Sequence, residues 1–276
     1  MNFEQAKTLT GKLSMHVWMT RVLRALLLVG MLATATGAVF APSLGLEADT
    51  DHLWTMAIFF AGSWMVLSIV GYRQIKTANQ AAIYITTGRL DLAETQLRDA
   101  VLAFNLHPRG KLMACHNLAV DAHNQKDVMA AAELCRAIVQ LSGRSLTEMV
   151  NLCRILLADC LLQIQQVEAA DAAIQPLRQE ANTLSLDQQL LLLPIQLQCD
   201  AARGAFQSVI DDLPSKMRHA EMLDAPKAGL CHALLAKACE RLNRGTEAAF
   251  LRERAELYHD IDFDELKIPL ASQTSN

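Results

Sequence analysis

The chain carries seven cysteines and eight histidines, the side chains most often found in metal sites and reactive centres. The number of cysteines is odd, no CxxC pair occurs, and Cys153 and Cys160 are seven residues apart, which places them near one face of a helix. This pattern predicts buried free thiols in a reducing compartment rather than a disulfide framework or a zinc site. The cysteines are Cys115, Cys135, Cys153, Cys160, Cys199, Cys231 and Cys239.

The sequence offers few other candidate residues for catalysis or metal binding. Cys115 and His116 are adjacent in the chain, as are Cys231 and His232, so the members of each pair point in different directions. No phosphate-binding loop, HExxH or GxSxG motif is present. An acidic run near the C-terminus lacks the glycine and the spacing of a calcium loop; it comprises Asp260, Asp262, Asp264 and Glu265. We therefore expect no enzyme, no cofactor, no metal and no small-molecule substrate.

The composition narrows the function classes further. The formal net charge of −4 gives no basic signature, so nucleic acid is not an expected partner. Hydrophobic residues make up 52% of the chain, yet aromatics make up only 5%, and there are 12 glycines and 7 prolines. This composition favours helices over strands.

The hydrophobic excess is concentrated in two segments. Residues 25–42 and 54–71 are each eighteen residues long and uncharged. At about 1.5 Å per residue each helix would cover roughly 27 Å, close to the hydrocarbon thickness of a bilayer. The sequence therefore predicts a two-helix transmembrane hairpin.

The flanking charges predict its orientation. Residues 1–24 hold four basic side chains and one acid, whereas the loop 43–53 holds three acids and no Lys or Arg. Because basic flanks stay on the cytoplasmic side, both termini should be cytoplasmic. The membrane we expect is a bacterial inner membrane.

Small residues recur every four positions along both predicted spans. They are Ala33, Gly37 and Ala41 in the first span, and Ala57 and Ala61 in the second. Such stripes let helices approach closely. They indicate either packing of the hairpin on itself, or assembly with another membrane protein or another copy.

A repeated pattern follows the second span. Residues 81–101 combine small residues at Ala81 and Ala93 with Tyr84 and a turn at Gly88. Equivalent first positions recur 38, 39, 39 and 39 residues apart, at Ala81, Ala119, Ala158, Leu197 and Ala236. The spacing resembles that of the tetratricopeptide-repeat (TPR) family over roughly residues 74–258. A more generic solenoid of helical hairpins remains an alternative.

This resemblance implies a concave groove built largely from the first helix of each repeat. Carried over position by position, the groove would be rather apolar and suited to an amphipathic helix of a protein partner. The alternative is that several of these side chains are packing residues. The positions are Ala82, Ile85, Met113, His116, Val120, His123, Ile155, Asp159, Leu162, Gln163, Lys237, Glu240 and Arg241.

The predicted fold is all-α, with an N-terminal two-helix transmembrane hairpin followed by a TPR-like α-solenoid of about five helical hairpins. No Gly or Pro separates Tyr72 from Thr87, so the second span should continue into the first repeat helix. A helix capped by Ser185 should include the apolar run 190–193, and prolines should fall near helix ends.

The predicted divisions are a basic segment 1–24, spans 25–42 and 54–71 around the loop 43–53, a repeat domain 72–262 and a polar tail 263–276. The expected function is a non-enzymatic membrane scaffold that binds cytoplasmic or membrane proteins, for instance during assembly of a secretion or conjugation machine. Alternatives are a self-assembling structural membrane protein, with homo-oligomers, and an accessory subunit of a membrane enzyme or transporter.

Overall fold

The structure, a computed structural model, describes residues 1–40, 50–103, 108–142 and 147–258. Within these ranges the chain is all-α and contains no strand. It divides into two compact units, Met1–Met149 and Val150–Asn276. The predicted all-α class is therefore confirmed, while the acidic run 260–265, Ala41 and the tail 263–276 lie outside the described residues.

Twelve α-helices are present in the described ranges. Those that begin in the first unit are α1 (Phe3–Phe40), α2 (Thr50–Thr86), α3 (Leu90–Leu102), α4 (Pro108–Asn124), α5 (Val128–Leu141) and α6 (Thr147–Gln163). The second unit continues with α7 (Val167–Gln179), α8 (Leu186–Ala202), α9 (Phe206–Ile210), α10 (Leu213–Ala220), α11 (Ala225–Arg241) and α12 (Gly245–Tyr258).

Helices α1 and α2 pack side by side along much of their length. The Phe60 ring fills the notch at Gly30, where an added methyl group would lie 2.9 Å from Cζ of Phe60. Gly37 lies beside Leu53, where an added methyl group would be in ordinary van der Waals contact, 3.5 Å from Cδ1 of Leu53. Helix α2 runs without a break through Gly71, as the absence of breaking residues predicted. The second apolar segment is thereby continuous with the first polar repeat helix.

The amino-terminal half of α1 belongs to the same core as the polar helices. Helix α1 begins at Phe3 and continues without a break from the basic segment into the apolar stretch. Ala6, Leu9, Leu13 and Val17 are buried at a spacing of three or four residues. Helix α1 contacts α5, α3 and α4, so this stripe covers apolar surface that those helices would otherwise expose.

Five helix-to-helix turns share one backbone geometry. Each has a residue with positive φ, and the following N–H donates to the carbonyl five residues earlier, for example Arg244 N–H to Cys239 O at 2.8 Å. This is the 6→1 hydrogen bond of a Schellman motif. The positive-φ residues, Gly88, Lys126, Gln165, Gly204 and Asn243, are 38, 39, 39 and 39 residues apart. The structural period thus equals the sequence period.

In the second unit the main apolar core lies between α8, α11 and α12, with α9 and α10 packed against it. Ser185 caps α8 by accepting a hydrogen bond from Gln188 N–H at 3.3 Å, and α8 contains residues 190–193, both as predicted. Pro194 lies inside α8 and Pro176 inside α7, so the expectation that prolines fall near helix ends is wrong for Pro194.

Candidate binding surfaces

The apolar parts of α1 and α2 expose their side chains instead of burying them. Both helices are long and apolar enough to cross a membrane, and only 11% and 6% of their most apolar windows are buried within the protein. The helices of a soluble core bury such residues. An exposed apolar face of this length is typical of contact with lipid or with another membrane protein.

The residues of the predicted small-residue stripes differ in their exposure. Gly37 and Ala57 lie in the contact between α1 and α2, with Ala57 buried and Gly37 against Leu53. Ala33 and Ala61 are exposed and do not pack within the hairpin. On the same face of α1 as Gly37, Gly30 lies against the large Phe60 ring, so a large side chain as well as small residues contributes to the contact between the two helices.

The predicted groove residues of the first unit form one stripe on α4. Met113, His116, Val120 and His123 are each half-buried, and their spacing of three and four residues puts them on the same face. Because these four side chains are partly exposed, they leave surface on α4 that a protein partner could contact. Ala82 and Ile85 lie on α2, whose backbone is helical there.

The remaining groove residues lie in the second unit. On α6, Ile155 is only 6% exposed and packs in the core, so it contributes no groove surface. Asp159 and Leu162 are half-buried and Gln163 is exposed, with Gln163 Nε2 donating to Asp159 at 2.9 Å.

On α11 the predicted positions are polar. Lys237 is half-buried, Glu240 is exposed and pairs with Arg252 of α12, and Arg241 stacks over the Phe206 ring at 6.0 Å. These contacts hold neighbouring helices together. The packing interpretation therefore fits α11 better than α4.

A buried lysine joins α4 to α1, and the sequence analysis missed it. Lys111, in the first turn of α4, is 1% exposed, and its Nζ lies 3.1 Å from Nδ1 of His16. Burial lowers the pKa of Lys111 to about 8. Among the described residues no carboxylate pairs with its ammonium group to offset this effect. Burial, together with the charges of Lys111 and Lys12, also lowers the pKa of His16. No sequence signal distinguishes Lys111 from an exposed lysine at a helix start.

An ionic network ties α7 to α8 and α9. Arg178 donates to Asp200 at 2.8 Å and lies 3.0 Å from Asp171, which also pairs with Arg203. Ser208 Oγ donates to the second oxygen of Asp200 at 3.2 Å. Each of these charged side chains has an ion-pair partner, which accounts for the network as a contact between helices, although Nε and Nη2 of Arg178 and Oδ1 of Asp171 are buried without a hydrogen bond.

All seven cysteines are free and buried, as predicted. Burial raises the pKa of the thiols of Cys160, Cys199 and Cys231 to about 12, so these groups are neutral and weak nucleophiles. Among the described residues no cluster of His, Cys, Asp and Glu could hold a metal ion.

His232 is a second buried titratable group. It is 0% exposed, neither ring nitrogen has a hydrogen-bond partner, and its ring stacks on Tyr258 at 5.6 Å. Burial is the largest cause that lowers its pKa. Burying both ring nitrogens without hydrogen bonds costs free energy even in the neutral imidazole, and burying the protonated ring would cost more, so the neutral form is favoured in the folded protein.

Comparison with protein-family models, with curated proteins and with solved structures found no match to this chain.

Proposed function

We propose that the chain is a membrane-anchored scaffold, with a transmembrane hairpin formed by α1 and α2 and a TPR-like array of helices that binds protein partners. The role that we propose is not enzymatic. The observation that carries it is the continuity of the apolar hairpin with the first helices of the repeat pattern, within one core. A partner bound to these helices is thereby held at a fixed distance from the membrane.

The orientation of the hairpin follows from charge. The end that joins the polar helices carries Arg21, Arg24, Arg73 and Lys76, whereas the opposite loop is acidic. By the positive-inside rule we place both termini and the repeats in the cytoplasm, in a bacterial inner membrane.

Two features of the repeats support a binding role: the regular spacing of their turns and a partly exposed stripe of side chains on α4. Five Schellman turns at intervals of 38 or 39 residues indicate repeated units of one kind. The α4 stripe, defined as Met113, His116, Val120 and His123, is half-buried and mixed apolar and imidazole in character. That surface suits the apolar face of an amphipathic partner helix. By analogy, an envelope machine such as a secretion or conjugation system is the proposed setting.

The test is affinity purification of the full-length chain from its host in a mild detergent, with mass spectrometry of the proteins that co-purify. A stoichiometric set of partners is expected. Val120→Glu should remove at least one soluble partner, because a buried unpaired carboxylate costs the interface several kcal/mol. Leu92→Glu is the matched control, since Leu92 is 52% exposed on the second helix of its pair, α3.

A second candidate is a self-assembling structural membrane protein. Ala33 and Ala61 favour it, because they leave a small-residue face of the hairpin exposed. Recovery of the chain alone, as a homo-oligomer of defined size that Ala33→Leu disrupts, would support this candidate and contradict the scaffold.

A further inference from the structure

The contacts between α1 and α2 fix which residues lie at the same height along the hairpin. Gly30 faces Phe60, and seven residues further along α1 Gly37 faces Leu53, seven residues back along α2. Arg24 lies over the Trp64 ring at 5.5 Å, in agreement with the same antiparallel register. Continuing this register by twelve residues from Gly30 and Phe60 brings Trp18 level with Tyr72.

Trp18 and Tyr72 mark the membrane boundary nearest the polar helices. Their side chains are 65% and 72% exposed, and exposed Trp and Tyr at one height are typical of the lipid headgroup level. Phe40 lies 22 residues beyond Trp18, a distance of about 33 Å, which matches the hydrocarbon thickness. The first span would therefore begin near residue 19 rather than at the predicted residue 25.

Two arginines then lie inside the aromatic boundary. Arg21 and Arg24 are three and six residues past Trp18, which corresponds to about 4.5 Å and 9 Å along the axis. Both are exposed and lie on one face of α1, being three residues apart. A charged guanidinium at this depth is costly unless it reaches the interface or pairs with an anion, and the Trp64 ring beside Arg24 offers a cation–π contact but no negative charge.

Among the residues that the structure describes, no carboxylate forms an ion pair with Arg21 or Arg24. The sequence contains no Asp or Glu from residue 5 to residue 46 or from residue 52 to residue 90. Among the described residues of the helices packed on α1, the carboxylate of Glu133 contacts Thr10, which is eleven residues from Arg21. Arg21 donates to the Leu141 carbonyl at 2.6 Å, and that neutral acceptor satisfies one of its five donors without neutralising its charge.

We propose that Arg21 and Arg24 bind the phosphate of an anionic phospholipid in the leaflet nearest the polar helices. Arg73 and Lys76, exposed on α2 just above the Tyr72 level, add positive charge that selects an anionic lipid over a zwitterionic one. The Arg21 contact with the last carbonyl of α5 would then seat that helix end on the headgroups. This inference rests on the proposed transmembrane hairpin.

The test is native mass spectrometry of the full-length chain in detergent, titrated with phosphatidylglycerol or with phosphatidylcholine. The wild type should retain phosphatidylglycerol preferentially. Arg21→Gln with Arg24→Gln should weaken that binding about fivefold per arginine. Arg21→Lys with Arg24→Lys should keep most of it. Arg218→Gln, which removes an exposed arginine of the second unit, should leave it unchanged.

Equal binding of the two lipids by the wild type, or equal binding of phosphatidylglycerol by wild type and the glutamine variant, would overturn the inference. Alkaline extraction of membranes separates this failure from failure of the anchor. A chain that stays in the pellet but has no lipid preference refutes the lipid site alone. A chain released by alkali refutes the transmembrane hairpin and the lipid site together.

Discussion

Replacing the buried Lys111 by methionine should stabilise the protein at neutral pH. The ammonium is 1% exposed and burial lowers its pKa from 10.5 to about 8. Lowering a pKa by one corresponds to about 1.36 kcal/mol, so keeping this charge in the folded state costs about 3 kcal/mol at pH 7. Methionine has a similar length and no charge, and should pack in the same space between α4 and α1.

The pH dependence gives the sign of the effect independently. Because the folded pKa lies below the unfolded value, the unfolded chain binds more protons between about pH 8 and 10.5. The cost is fully present below pH 8 and declines as the pH rises. The advantage of Lys111→Met should therefore be largest at pH 7 and should shrink by more than half at pH 9.5.

The assay is denaturant unfolding of the full-length chain in mild detergent, followed by far-UV circular dichroism at both pH values. Lys7→Met is the control, because Lys7 is exposed on the same unit and should change the free energy of unfolding by less than about 0.5 kcal/mol. A Lys111→Met protein that is less stable than wild type, or a difference that is the same at pH 7 and pH 9.5, would refute the reasoning.

Three further outcomes are expected. His232 has a folded pKa below its unfolded value, so the free energy of unfolding should fall as the pH drops below about 6.5, by at most about 1.4 kcal/mol per pH unit. His232→Phe should remove this pH dependence from acid unfolding curves. Gly30→Leu should destabilise the hairpin by about 1–3 kcal/mol, because the Phe60 ring already occupies the space beside Gly30. At Gly62 an added Cβ meets no atom within 4 Å, so Gly62→Leu should be neutral. Equal stability of the two variants in an SDS-unfolding series would contradict this packing. A small maleimide should label none of the seven thiols in the folded protein and all of them after denaturation, as counted by intact mass, and one native adduct would show that a cysteine is accessible.

Period and polarity predicted the parts of the fold that depend on local sequence. The spacing of Ala81 and its equivalents predicted the interval at which the Schellman turns recur, because small residues at helix crossings and αL residues at turns are fixed by the same repeated unit. The absence of Gly and Pro after Tyr72 predicted the unbroken α2 for a similarly local reason.

The features of the structure that the sequence analysis did not predict depend on tertiary contacts. The sequence analysis described residues 1–24 by their charge and did not single out the apolar stripe from Ala6 to Val17, whose residues are three or four positions apart and are buried. The small-residue stripes gave no indication of the contact at Gly30, where the Phe60 ring lies against the glycine. Lys111 could not be singled out, because its burial results from α1 covering the start of α4.

Site-specific photocrosslinking at the α4 stripe tests the scaffold proposal most directly. A photoreactive amino acid at Val120 in the full-length chain, irradiated in intact host cells, should form an adduct with a different protein, and the same group at Leu92 should not. Adducts only with another copy of the chain, or none at Val120 while the protein is membrane-bound, would contradict the proposal that these helices hold a partner at the membrane.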